Sequence, residues 1–225
     1  MSSRWPGYFI SFEGLDGAGK STQVASLSAA LRAAGHEATS VRPSDTELGD
    51  MARSFLLQHQ ADFPLDPWAE ALLFVASRAQ LLREVVLPAL RRGQIVVVDR
   101  WADSTLAYQG GGRGLDLEAL RALHRQAVDD VWPDLTVFLD LPLETAMHRQ
   151  RAEQLPLDRI EQQPGEFHAR VDAAFRSIVE REAARIVRVD ATGSAVAVGR
   201  SVWEAVQRRL QTDPRLSTEV PGRRT

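Results

Sequence analysis

Residues Gly14-Leu15-Asp16-Gly17-Ala18-Gly19-Lys20-Ser21 fit the pattern G-x-x-x-x-G-K-[ST], and they fall between a strand signal and a helix signal. The preceding Tyr8–Glu13 is short and rich in aromatic and β-branched residues. After the motif, Val24, Leu27 and Leu31 recur at helical spacing until Gly35 stops the pattern. Strand, glycine turn and helix in that order aim backbone N–H groups and a helix N-terminus at one point, a phosphate-binding arrangement. Glycines leave no Cβ in the path of a phosphate oxygen. Lys20 is placed to reach β and γ phosphates, and the Ser21 hydroxyl to hold Mg²⁺. Composition sharpens the reading. Of 27 cationic side chains 26 are arginine, so the only lysine of the chain stands at the diagnostic position. That same count excludes the Asn-Lys-x-Asp guanine reader, which needs a second lysine. The motif predicts a nucleoside triphosphate site over Gly14–Thr22.

The rest of the chain alternates strands with helices. Ile95–Val98 closed by Asp99, Leu135–Leu139 closed by Asp140, and Ile186–Val189 closed by Asp190 are apolar runs of the kind buried on both faces of a parallel sheet. Glu37–Arg42 reads as a further strand. Helical patterns cover Thr46–Gln58, Pro67–Arg92, Leu117–Val128, Leu143–Arg151, Gly165–Ala184 and Ala195–Leu210. The expected fold is therefore α/β, a parallel sheet of about five strands with helices on both faces. Asp99 is the favoured strand-end carboxylate for Mg²⁺, with Asp140 as its competitor. The glycine-rich Gln109–Gly114 and the charged, proline-containing Glu153–Pro164 read as mobile stretches. Residues 1–210 are expected to form one domain, and 211–225 a flexible tail.

Composition excludes several classes. The net charge of −3 gives no basic field for nucleic acid, and the absence of cysteine removes disulfides, thiolate metal sites and cysteine nucleophiles. No apolar run is long enough to cross a bilayer, and no signal peptide is read, so the expected location is cytoplasmic.

Several blocks together resemble bacterial thymidylate kinase: Phe12–Thr22, Leu73-Phe74-x-x-x-Arg78, Asp99-Arg100-Trp101, Ala107-Tyr108-Gln109-Gly110 and Leu157-Asp158-Arg159-Ile160-Glu161. They stand in that family's order and spacing from about Tyr8 to Leu210. The resemblance implies a P-loop nucleoside monophosphate kinase fold. It also implies transfer of the γ-phosphoryl group of Mg·ATP to dTMP, and a homodimer; Trp68–Arg92 and Leu117–Val128 offer apolar helical faces for such an interface, a stripe that core packing explains equally well. Carried onto matching positions, Phe74 stacks on thymine and Arg78 bonds its carbonyl edge. Arg100 and Arg53 hold the acceptor phosphate, Asp16 meets the sugar hydroxyl, and Ser104, Thr105 and Gln109 face base and sugar. The P-loop carries no arginine. The resemblance therefore assigns the cations for the transferred group to Arg149 and Arg151 in a lid over residues 149–163, with Arg159 pairing with Asp158 or Glu161 as an alternative.

The chain departs from that pattern at Arg42-Pro43-Ser44-Asp45-Thr46, where relatives often carry Arg-Glu-Pro-Gly-Gly-Thr. It also carries Glu153 where some place a third lid arginine, and Phe175 where tyrosine is common. A deoxynucleoside kinase, another nucleoside monophosphate kinase and a P-loop regulator without transfer activity are the competing readings.

Overall fold

The computed structural model describes residues 5–57, 64–152 and 157–216. Among them, β1 (Tyr8–Glu13), β2 (Ala38–Val41), β3 (Ile95–Asp99), β4 (Leu135–Asp140) and β5 (Ile186–Asp190) form one all-parallel sheet in the order β2-β3-β1-β4-β5. β1 lies in the middle and is buried along its whole length. Side chains alternate across it as a pleat requires. Ile10 and Phe12, with Val97 of β3, enter one core layer; Phe9, with Val96 and Val98, enters the other. Burial on both faces is why these strands read as unbroken apolar runs.

Helices cover both layers. On one side lie α1 (Lys20–Ala33), α8 (Gly165–Arg181) and α9 (Ala195–Thr212), which supply Leu27, Leu31, Phe175, Val202 and Val206. On the other, α3 (Pro67–Leu81) runs through a π-helical stretch, Leu82–Val86, into α4 (Leu87–Arg91). The single long helix expected over Pro67–Arg92 is thus interrupted. Pro88 has no N–H to give the carbonyl four residues back, and the wider π turn accommodates that loss. The remaining helices are α2 (Glu47–Leu57), α5 (Ala102–Thr105), α6 (Leu117–Ala127) and α7 (Leu143–Ala152).

The glycine-rich stretch corrects the sequence reading. Leu106–Gly112 is a π-helix continuing α5, buried at nearly every residue. A Cβ on Gly111 would lie 2.4 Å from Ala174 Cβ, and one on Gly112 2.5 Å from the Phe167 ring. The glycines serve close approach to α8, not freedom of motion. Glu153 and three neighbours lie outside the described residues, but Asp158 to Gln163 form a hydrogen-bonded turn: Asp158 Oδ1 accepts from the N–H groups of Ile160 (2.8 Å) and Glu161 (2.9 Å). The expected loose tail is tied at its start, where Arg215 donates to Gly7 O at 2.8 Å and pairs with Asp134 and Asp213. Residues 217–225 lie outside the described part of the chain. No helix among the described residues is long and apolar enough to cross a membrane.

Candidate active site

The strand order places the exits of β1 and β3 side by side, with the chain then crossing to β4 beyond β1. A crevice at the carboxyl ends of the strands is the expected consequence. A cavity of about 440 Å³ opens there.

The turn between β1 and α1 forms one end. Gly14, Gly17 and Gly19 take φ values of 143°, 80° and 85°, the left-handed side of the map that glycine alone adopts freely. Gly17 also needs its missing Cβ, which would meet Ala146 O at 2.5 Å. Lys20 Nζ donates to Leu15 O at 2.7 Å and lies 3.7 Å from Asp16. Burial, with the nearby Arg100 cation, lowers the Lys20 ammonium to about 8, so an arriving polyphosphate relieves an unfavourable desolvation. Ser21 Oγ donates to Asp99 Oδ2 at 2.6 Å, which brings two hard oxygens together beside the turn. Such oxygens suit Mg²⁺, which takes one or two protein ligands and completes its shell with water and substrate phosphates. Among the described residues no cluster of three acidic or histidine ligands exists. Asp140 is already occupied by Arg188 and Arg176.

Arg100 occupies the middle. It follows Asp99 at the end of β3 with φ 72°, a strained value for a side-chain-bearing residue. Two contacts hold it there: its N–H donates to Phe12 O at 3.0 Å, and the next N–H, of Trp101, donates to Glu13 Oε1 at 2.6 Å. The guanidinium then donates to Gly14 O (3.0 Å), to Ser104 Oγ (2.9 Å) and to Asp16. Tyr108 completes the set, its hydroxyl donating to Asp16 Oδ2 at 2.7 Å. Burial opposes ionisation of Asp16, but Arg100 and Lys20 outweigh it and hold the carboxyl well below its usual range. Glu13 behaves oppositely. Burial and the neighbouring Asp103 push it up to about 7, although Ser104 Oγ donates to it at 2.5 Å.

The far end is built on α3. Phe74 and Arg78, four residues apart, project from one face into the cavity. Arg78 donates to Thr105 Oγ1 at 2.5 Å, so Thr105 backs the arginine from behind the wall. Burial lowers the Arg78 guanidinium to about 10, and its Nε has no hydrogen-bond partner. A buried donor left unpaired is costly, which is the condition a ligand carbonyl corrects. Gln109 and Ser104 line the cavity as well, and Arg53 reaches it from α2.

The arrangement can hold a polyphosphate at the glycine turn and a flat ring with a carbonyl edge at α3, with arginines between them. The chain matches the family model described as thymidylate kinase over residues 12–202. It belongs to the thymidylate kinase family. It is 48% identical over 200 residues to a thymidylate kinase of Thermomicrobium roseum, covering 88% of this chain and 94% of that protein. It is 45% identical over 204 residues to one of Deinococcus radiodurans, covering 90% and 98%.

Within this thymidylate kinase fold, some sequence-named residues do not reach the cavity. Arg149 donates to Thr192 O at 3.2 Å, and Arg151 is exposed to solvent. The lining residue of α7 is their neighbour Gln150, whose Nε2 is buried without a partner. Arg159 does not pair with Asp158 or Glu161 but with Glu70. Asp45 turns to Arg42, 3.3 Å away, while Arg42, Pro43 and Ser44 of the variant loop line the cavity. Sequence reading missed Tyr108, Glu13 and Glu70 as parts of the site. Tyr108 stood inside a quoted motif, but a tyrosine on a helix gives no periodic sign of its partner. Glu13 stood in the Phe12–Thr22 block as well, and Glu70 carried one signal, a carboxylate within an apolar run.

Proposed function

We propose that this cavity transfers the γ-phosphoryl group of Mg·ATP to dTMP, giving ADP and dTDP, with ATP on the glycine turn and dTMP against α3. Phosphorylation of dTMP by ATP is the activity that goes with the family, and it is favoured over a nucleoside kinase, another monophosphate kinase or an inert regulator. The observation that carries the acceptor assignment is Arg78, a buried guanidinium with an unpaired Nε, lining the same cavity as Phe74. Phe74 stacks on thymine and Arg78 donates to its carbonyl edge. Gln109 and Ser104 complete the wall around base and sugar, Thr105 acts from behind it by holding Arg78, and Asp16 accepts from the sugar hydroxyl. Arg100 and Arg53 neutralise the acceptor phosphate, a dianion suited to the planar guanidinium fork.

No general base is required, because a phosphate oxygen of dTMP is already a nucleophile near neutral pH. Its bond to Pγ forms as the bond from Pγ to the bridging oxygen of ADP breaks. The protein supplies alignment and charge. Gly14, Leu15, Asp16, Gly17, Ala18, Gly19, Lys20, Ser21 and Thr22 surround the donor phosphates, and Lys20 follows the charge that builds on the leaving oxygen. Ser21 and Asp99 hold Mg²⁺, which when bound neutralises the β and γ oxygens. Residues 149–163 act as a lid on a single domain of residues 1–210. Its closure frees Arg149 from Thr192 and brings Arg149 and Arg151 over the transferred group.

A homodimer and a cytoplasmic location belong to the same reading. Exposed Met51 of α2, Trp68 and Leu72 of α3 and Leu117 of α6 support the dimer. Calorimetric titration with dTMP tests the acceptor pocket. Phe74→Ala weakens binding about 10- to 100-fold, as loss of one base–aromatic stack does, and Arg78→Gln weakens dTMP more than it weakens ATP. Undiminished dTMP binding in both variants contradicts the assignment.

A further inference from the structure

Glu70 lies one helical turn before Phe74, and therefore on the face of α3 that also carries Arg78. It is fully buried, and it serves three partners from distant parts of the chain. Gln109 Nε2 donates to Oε1 at 2.9 Å. Arg113 donates from Nε to Oε1 at 3.2 Å and from Nη2 to Oε2 at 3.0 Å. Arg159 donates from Nη2 to Oε2. Both arginines are themselves fixed elsewhere. Arg113 donates to Gln163 Oε1 at 2.8 Å and lies over the Phe167 ring. Arg159 donates from Nε to Leu56 O at 2.9 Å, at the end of the helix that bears Arg53. Burial disfavours the Glu70 carboxylate, but the hydrogen bonds from Arg113 and Gln109 more than offset this and leave it ionised.

A purely structural carboxylate would only need to neutralise its arginines. Glu70 does something narrower. Gln109 is a wall residue of the acceptor cavity, and Arg159 sits between Asp158 and Ile160, which line the same cavity from the 157–163 turn. One rigid carboxylate thus spans the acceptor wall and the base of the lid. We propose that Glu70 is a positioning residue that couples the two, so that filling the acceptor pocket fixes the 157–163 turn in place. The proposal rests on the thymidylate kinase reading above, and its test separates the two.

Hydrogen exchange over residues 157–163, with and without dTMP, is compared between the unaltered chain and Glu70→Gln, alongside KM for each nucleotide. In the unaltered chain dTMP slows exchange across that turn. In Glu70→Gln the slowing there is lost while that in α3 persists. KM for dTMP rises about tenfold, as expected for lost charge-assisted hydrogen bonds, and KM for ATP stays within about twofold. Equal slowing of 157–163 in both proteins, or a parallel rise of both KM values, overturns the coupling. If Glu70→Gln fails to fold, Arg159→Gln breaks the same link from a partner that is 17% exposed, and the same loss is required of it. If the unaltered chain does not bind dTMP, the functional reading fails by itself. The link is then read without nucleotide, where Glu70→Gln must speed exchange of 157–163 about tenfold, and unchanged exchange overturns it.

Discussion

Ser21 at the first turn of α1 donates its hydroxyl to Oδ2 of Asp99, at the end of β3, over 2.6 Å. The two residues are 78 positions apart in the chain, and the pairing of β1 with β3 brings them together. Under the proposed function these two oxygens would hold Mg²⁺, which would supply positive charge beside the donor phosphates. Asp99→Asn keeps the shape and removes the charge. The expected result is a loss of transfer rate of about a hundredfold, the scale of one charged group acting on phosphoryl transfer. More Mg²⁺ is then required for half-maximal rate. A magnesium titration of ADP formation checks both.

Arg100 is held by three different chemical groups, and lysine can satisfy only part of that set. Arg100→Lys is expected to lower kcat/KM by two to three orders of magnitude, roughly, through loss of the fork. Tyr108→Phe removes one hydrogen bond to Asp16 and costs about 1 kcal/mol, seen as a several-fold rise in KM for dTMP. Steady-state kinetics with dTMP varied at fixed ATP distinguishes the two variants.

Gly111→Ala sets helix propensity against packing. Alanine gains about 1 kcal/mol in an exposed helix, but here its methyl would stand 2.4 Å from Ala174 Cβ and 3.0 Å from Arg170 O. Overpacking of a tight interface costs about 1–3 kcal/mol and wins. Gly165→Ala is the control, since a Cβ there meets nothing within 4 Å. Urea unfolding should place Gly111→Ala below the parent and Gly165→Ala at or above it.

The same contacts explain what a sequence reader sees and what stays hidden. The strands were legible because two-sided burial leaves an unbroken apolar run with an aspartate at its exit, as in Ile95–Asp99. The glycine turn was legible because phosphate chemistry restricts each of its positions. Gln109–Gly114 was misread, because glycines that admit another helix look in sequence like glycines that admit motion; only Phe167 and Ala174 of α8 tell them apart. The π stretch after α3 carried a sign in Pro88, but not the location of the widened turn. Side-chain pairings of long range were the hardest part. Nothing near Arg159 in the chain points to Glu70, which lies 89 residues away. The positions of Arg149 and Arg151 depend on where α7 directs successive side chains, and there Gln150 takes the inward direction.

His124 predicts a pH dependence of stability. It is buried between the rings of Trp101 and Trp132, and neither ring nitrogen has a hydrogen-bond partner. Burial, reinforced by the Arg78 and Arg185 cations, lowers it from 6.5 to about 3. The unfolded chain therefore binds the proton first. The contribution is fully present above pH 6.5 and is lost as pH falls toward 3, at about 1.4 kcal/mol per pH unit within that window. His124→Phe keeps a ring in place and removes the proton site. Unfolding free energies at pH 7, 6 and 5 should fall less steeply for the variant; identical slopes would show that His124 is not the group responsible.

ADP formation from Mg·ATP across dTMP, dUMP, dAMP, dGMP, dCMP and thymidine tests the central claim most directly. Acceptor-dependent turnover with dTMP clearly preferred is expected, with thymidine inactive because it lacks the phosphate that Arg100 and Arg53 would hold. ATP binding without acceptor-dependent turnover, or equal turnover with purine monophosphates, would contradict it.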